Sequence, residues 1–300
     1  MHHELMSGVD ELLEDLSLAA ADLLRDWEAL ARACGAKATP TSPCACQAPT
    51  FPVRLAKPEV VAQEIATDCV VYVAAASQQL RMLAKLDDTE LVLNGWSITR
   101  TVVEHCSRVG WLLDRDVSAR ARLARWYMEL IASAQRMRNV AKATGDTALR
   151  ERAERHRDRI VSDARRVFPD AAVYPGGEPR NWSVDGEKYA GLSKAANNFG
   201  RDHLEQRGLY DSLSSFTHPS LDRLAQQTRA APRGTELFKQ FVAAPADIRW
   251  QFAIACNSVR SAAQLIAWYL ELDATGIDTW GGRHPALRLG AFGFPGRCDG

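Results

Sequence analysis

Apolar residues recur along the chain at the three- and four-residue spacing of helices, and no convincing run of alternating strand positions appears. A first helix is predicted over about 8–34, where Val9, Leu12, Leu13, Leu16, Leu23, Leu24 and Leu30 form one stripe. Residues 35–55 break it with Pro40, Pro43, Pro49 and Pro52. Helices are predicted again over about 58–85 and 90–113, the second ending at Asp114, Arg115 and Asp116. The segment 117–143 puts Leu123, Tyr127, Leu130, Ala134, Met137 and Ala141 on one face, and Arg122, Arg125, Glu129 and Arg136 on another. A turn at Gly145-Asp146 leads into a highly charged helix over 147–167.

Residues 168–188 contain Pro169, Pro175, Gly176, Gly177, Pro179 and Gly186 and read as a linker or lid. Shorter helices are predicted over 189–204, 206–216 and 219–230. A long one follows over 245–273, where Ile248, Phe252, Ala255, Val259, Ala262, Ile266 and Leu270 keep helical spacing. The tail from Gly276 onward is expected to be irregular. The fold class is therefore all-α: a multi-helix bundle of long antiparallel helices without repeats or sustained heptads. Three regions divide it: 1–55, an acidic helix with a Pro- and Cys-containing loop; 56–275, the main bundle; and 276–300, the tail.

Composition excludes whole classes. With 37 basic and 37 acidic residues in 300, and 46% hydrophobic residues, the chain is not collagenous, wholly disordered or a generally basic nucleic-acid coat. The distribution says more. Residues 1–30 hold eight acids against Arg25 alone, whereas 115–166 hold fourteen bases and seven acids. The acidic first helix is a candidate partner for that basic segment, within one chain or across a dimer; the basic face equally suits a phosphate or an acidic partner. Thirty of the bases are Arg, whose planar fork keeps its charge in any environment. The longest apolar run, Cys69 to Ala76, is far short of the roughly 20 residues of a bilayer span, so no membrane partner is expected. Seven cysteines in a chain too large to need staples, without a signal-like start, point to reduced thiols and a cytoplasmic location.

Candidate chemistry concentrates in two places. On the helix around residue 100, Ile98, Val102, Cys106, Val109 and Leu113 make a core face, and Arg100, Glu104, Arg108 and Trp111 lie opposite. That second face is either a solvated salt-bridge ladder or an inward-facing stripe that binds an anion or a base, with Trp111 for stacking. The other place is Tyr210-Asp-Ser-Leu-Ser-Ser-Phe-Thr-His218-Pro-Ser-Leu-Asp-Arg223. Pro219 puts His218 at a helix entrance, where it caps the helix or acts as a general acid or base. Cys34, Cys44 and Cys46 supply only three local thiols for a zinc ion that wants four ligands. Phosphate-binding and nucleophile-elbow glycine motifs are missing, so no cofactor and no metal are expected.

The helix of Arg100 and Glu104, followed far downstream by Tyr-x-x-x-Ser-x-x-x-His-Pro, resembles bacterial all-α families similar to HEPN helical domains. Many of those bind or cleave RNA in defence and toxin systems, and their ribonuclease signature is Arg, four to six residues, then His. Arg100 with His105 and Arg150 with His156 both fit that spacing, although residues five apart on one helix lie about 140° apart. What the resemblance implies is a helical binding protein for RNA, nucleotide or another anionic ligand. Arg100, Glu104 and His218 would be its catalytic set in a metal-independent ribonuclease, and Arg108, Trp111, Tyr210 and Arg223 its ligand contacts. The alternative is a non-catalytic homo-oligomeric scaffold.

Overall fold

The computed structural model describes residues 2–35, 38–52, 54–173, 178–217, 228–233, 236–241 and 244–289. Four of its helices begin at a side-chain cap. After α1 (His2–Ala33), the Ser42 hydroxyl accepts the Ala45 N–H and starts α2 (Pro43–Gln47), which runs into a 3-10 turn, Ala48–Thr50, inside the predicted break. Next come α3 (Pro58–Leu83) and α4 (Asp88–Glu90), a single turn opened by an Asp87/Glu90 capping box. A π-helical turn, Leu91–Gly95, leads into α5 (Trp96–Leu112). Ser118 caps α6 (Ala119–Thr144) and Asp146 caps α7 (Thr147–Val167). Between those two helices Gly145 adopts φ +73°, the left-handed conformation that closes a helix and costs glycine little.

The described parts of the segment expected to be a linker or lid, 168–173 and 178–188, are folded instead. Ser183–Val184 (β1) pairs antiparallel with Glu187–Lys188 (β2) around a turn at Asp185 and Gly186. Phe168, Trp182 and Val184 are fully buried. Burial of such large apolar side chains, worth roughly 1.5–3 kcal/mol each, outweighs the freedom that proline and glycine suggested.

Beyond it lie α8 (Leu192–His203) and α9 (Leu209–Thr217), then a hairpin of β3 (Thr228–Arg233) and β4 (Glu236–Phe241). The end of the predicted 219–230 helix is thus strand, while 219–227 lie outside the described residues. After α10 (Pro245–Leu270), helical structure continues into the predicted tail as α11 (Thr275–Arg283) and a 3-10 turn, Pro285–Leu287. There Trp280 is buried and donates its indole N–H to the Ala19 carbonyl at 2.9 Å, which ties α11 to α1.

The fold is an all-α bundle with α10 at its axis. Side chains from every side of α10 are buried, among them Ile248, Trp250, Phe252, Val259, Ile266 and Tyr269. α10 packs against α1, α3, α5 and α11. The apolar face of α5 predicted from sequence lies against α3 and α10, and its opposite face lies under α8 and α9. α3 is long and apolar enough to cross a membrane by length and composition; here Ile65, Cys69, Val73, Leu80 and Leu83 are core residues. α7 packs on α6 through Ala153, Val161, Ala164 and Val167.

Within the chain, the three α1 acids with ion pairs among the described residues make them outside the basic segment 115–166. Among the described residues, Asp22 pairs with Arg25, Arg283 and His284, Asp26 with Arg283, and Glu28 with Arg81. The polar face of α6 is partly covered. Arg122 and Glu129 are buried and Met137 is exposed, because α5, α3 and the β1–β2 hairpin cover that side of the helix.

Where α5 crosses α8, a Cβ on Gly110 would sit 2.5 Å from the Phe199 ring. The absence of a side chain is what lets the two helices approach. Gly110→Ala is expected to destabilise the protein by about 1–3 kcal/mol through overpacking, despite alanine's better helix propensity. Chemical denaturation of the two proteins measures this, and equal or greater stability of the variant would contradict the packing described.

Candidate functional site

The face of α5 opposite its core stripe turns inward, and two groups of side chains gather along it. At its start, Arg100 donates from Nε to Glu104 Oε1 at 2.8 Å, from Nη1 to Thr217 Oγ1 at 2.8 Å and from Nη2 to the Tyr210 hydroxyl at 2.6 Å. Its Cζ also lies 4.8 Å from the centre of the Tyr210 ring. Desolvation opposes the charge, but Glu104 and Tyr210 together raise the Arg100 pKa above its ordinary value. Stacking of Trp96 on Phe216, with ring centres 3.9 Å apart, docks the end of α9 beside Arg100. The structure therefore brings together Arg100, Glu104 and Tyr210 from the sequence-predicted set and adds Thr217. His218 and Arg223 lie outside the described residues. His105, five residues after Arg100, points elsewhere: its ring lies 6.2 Å from that of Tyr72 on α3.

Two turns further along, about 12 Å by helical rise, Arg108 is fully buried. Its Nη1 donates to the Ala190 carbonyl at 2.7 Å and meets Glu129 Oε2 at 3.4 Å. The other Glu129 oxygen accepts from the Tyr72 hydroxyl at 2.8 Å and from Arg136 Nη2 at 3.3 Å. Arg108 Nη2 has no hydrogen-bond acceptor among the described residues; the guanidinium rests between the rings of Tyr189 and Trp111, 5.4 and 5.8 Å from their centres. Arg108 and Trp111 thus belong to a second group, separate from Arg100. Glu129, Tyr72, Tyr189 and Arg136 join it without having been chosen from the sequence as site residues. The signal for Glu129 was a lone acid among the arginines of α6; nothing in the sequence marks Tyr72.

Trp111 also opens onto a cleft of about 640 Å³ between the end of α5, α8 and the β1–β2 hairpin. Within it Arg125 binds Glu187 at 2.7 Å and Asp114 at 3.2 Å, and Arg201 binds Asp202 at 2.6 Å. Lys188 and Lys194 line the cleft without an ion pair among the described residues, and Arg115 lies over Trp268 rather than on a carboxylate. Half-buried His203 lines it too, with its pKa lowered by desolvation against the weaker opposing pull of Asp202. Its place four residues after Phe199, on the apolar side of α8, was the sequence signal for it.

Burial pushes the Cys34 and Cys44 thiols up to about 11, so both are protonated at neutral pH. Cys46 is exposed and hydrogen-bonds to the Pro40 and Thr41 carbonyls at 3.6 and 3.5 Å. Comparison of the chain with family models, curated proteins and solved structures found no match in any of the three.

His105 and His203 are both held neutral by burial, with pKa values below the ordinary one. The unfolded chain therefore takes up these protons first as pH falls below about 6.5, and stability drops with it. Each histidine contributes a slope of up to about 1.4 kcal/mol per pH unit, which ends once the folded pKa is passed. Denaturation midpoints measured between pH 7.5 and pH 5 should fall in the native protein and fall less steeply in His105→Gln and His203→Gln. Identical slopes in all three would remove the burial account.

Proposed function

We propose that the chain is a HEPN-like helical binding protein that recognises RNA, nucleotide or another anionic ligand at the Arg100–Tyr210 cluster. One observation carries the reading: the cluster has donors to spare. Three of the five guanidinium N–H groups of Arg100 are used by Glu104, Thr217 and Tyr210. The other two, and the hydroxyl proton of Tyr210, have no acceptor among the described residues, while Arg100 keeps about a fifth of its side chain exposed (22%). A rigid guanidinium beside a free hydroxyl donor suits the oxygens of a phosphodiester or carboxylate. Glu104 on one side and two hydroxyls on the other fix the fork, so little side-chain freedom is lost on binding.

A ribonuclease is the second reading. It is favoured by the hydrogen bond from Arg100 to Thr217, the residue that precedes His218 in sequence. In it Arg100 holds the scissile phosphate, Glu104 orients Arg100, and His218 transfers the proton, with Arg223 as a further phosphate contact.

The test uses fluorescence anisotropy with a short single-stranded RNA at two salt concentrations. Tyr210→Phe keeps the ring against Arg100 and removes only the hydroxyl, so affinity should fall about tenfold with the melting temperature little changed. Affinity should also fall with rising salt. RNA binding that ignores both the substitution and the salt would overturn the anionic-ligand reading at this cluster. Cleavage of the same RNA by the native chain but not by His218→Ala supports the ribonuclease; equal cleavage by both ends it.

A further inference from the structure

The cleft beside Trp111 is separate from the Arg100 cluster, and its charges do not cancel. Three of its four carboxylates are already held, Asp114 and Glu187 by Arg125 and Asp202 by Arg201. Because Arg125 serves two carboxylates, the five cations lining the cleft exceed its four carboxylates by one, and Lys188, Lys194 and Arg115 are the cations without a carboxylate partner among the described residues. Lys188 sits on β2 and Lys194 in the first turn of α8, whose N-terminal N–H groups add to the positive potential. The floor is different in kind. It consists of the half-buried Trp111 indole and the edge of Phe199, whose ring fills the space that a side chain on Gly110 would take. Half-buried His203 and the Asn198 amide supply neutral hydrogen-bonding groups on the α8 wall.

A wall with surplus cations and a floor of aromatic rings asks for a ligand with two unlike ends. A bare oxyanion would leave the floor unused, and a neutral planar molecule would leave the cations unpaired. A volume of about 640 Å³ is within the usual range of small-molecule sites and admits a nucleoside with one or two phosphates. We infer that this cleft binds a mononucleotide, with its phosphate on Lys188, Lys194 and Arg115 and its base beside Trp111, Phe199 and His203. Binding is non-covalent and needs no metal or co-reactant. His203, neutral at pH 7 because burial lowers its pKa, both donates and accepts a hydrogen bond at a base edge.

The experiment is calorimetric titration of the full chain with AMP, adenosine and inorganic phosphate in separate runs, repeated on a Lys188→Glu/Lys194→Glu variant. Both lysines are exposed, so the variant should fold, and a melting curve checks that it does. AMP should bind at least about tenfold more tightly than adenosine or phosphate, and the double reversal should cost about tenfold or more. No AMP binding at millimolar concentration would overturn the inference, as would equal affinity for AMP and either fragment, or an affinity untouched by the reversal in the folded variant. The titration contains no RNA, so the two readings fail separately. A chain that binds RNA but not AMP loses this inference alone; one that binds AMP but not RNA loses the RNA reading alone.

Discussion

The carboxylate of Glu129, buried with the guanidinium of Arg108, is the constraint around which this molecule is arranged. Neither charge can be left inside the bundle alone, since an unpaired buried ion costs several kcal/mol. The demand is met from four directions: Tyr72 on α3 and Arg136 on α6 serve Glu129, while Arg108 on α5 also takes the Ala190 carbonyl before α8. These contacts fix the lateral order of α3, α5 and α6. They also seat the β1–β2 hairpin, because Ala190 follows it immediately and Tyr189 stacks edge-on against Trp111. A second buried arginine closes the C-terminal end of the same helix. Arg122, fully buried, donates to the Leu112 carbonyl at 2.9 Å and to the Asp114 carbonyl at 2.6 Å, where the dipole of α5 favours a cation.

Much of this architecture was legible in the sequence. Ile98 through Leu113 named the core face of α5, and the terminal helix was visible from Ile248 to Leu270 because a 3.6-residue period persists in any packed helix. Less legible was what a polar face meets. Arg122 and Glu129 sit at solvent-like spacing on α6, yet both are buried, since period alone cannot say whether a charged stripe faces water or another charged stripe. The same ambiguity turned the Pro- and Gly-rich stretch 168–188 into an expected lid. Its aromatic and apolar residues Phe168, Val173 and Trp182 decide its fate by burial. The site residues were half-legible for a related reason. Arg100, Glu104 and Tyr210 were chosen by residue type and do meet, but Tyr72, Thr217 and His203 come from elements whose approach only the fold reveals.

The two proposed binding places share α5 as their rigid support. Its early turns hold Arg100, with hydroxyl and guanidinium donors left over; its last turn presents Trp111 and Gly110 to the cleft. Both depend on the helix being fixed in rotation, because a turn of one residue position, about 100°, would exchange the polar stripe for the core stripe. The buried ion pair provides that fixation. Functional donors on a helix whose orientation is set by a buried charge network lose little entropy when they engage a ligand.

A double-mutant cycle on Arg108 and Glu129, read by chemical denaturation, tests this central role most directly. Arg108→Ala and Glu129→Ala should each cost about 3–5 kcal/mol, because each strands the other's charge in the interior. The double variant should be little worse than the poorer single one, which gives a coupling energy well above about 1 kcal/mol. Losses below about 1 kcal/mol that simply add would mean that the pair behaves as a surface ion pair and does not organise the bundle.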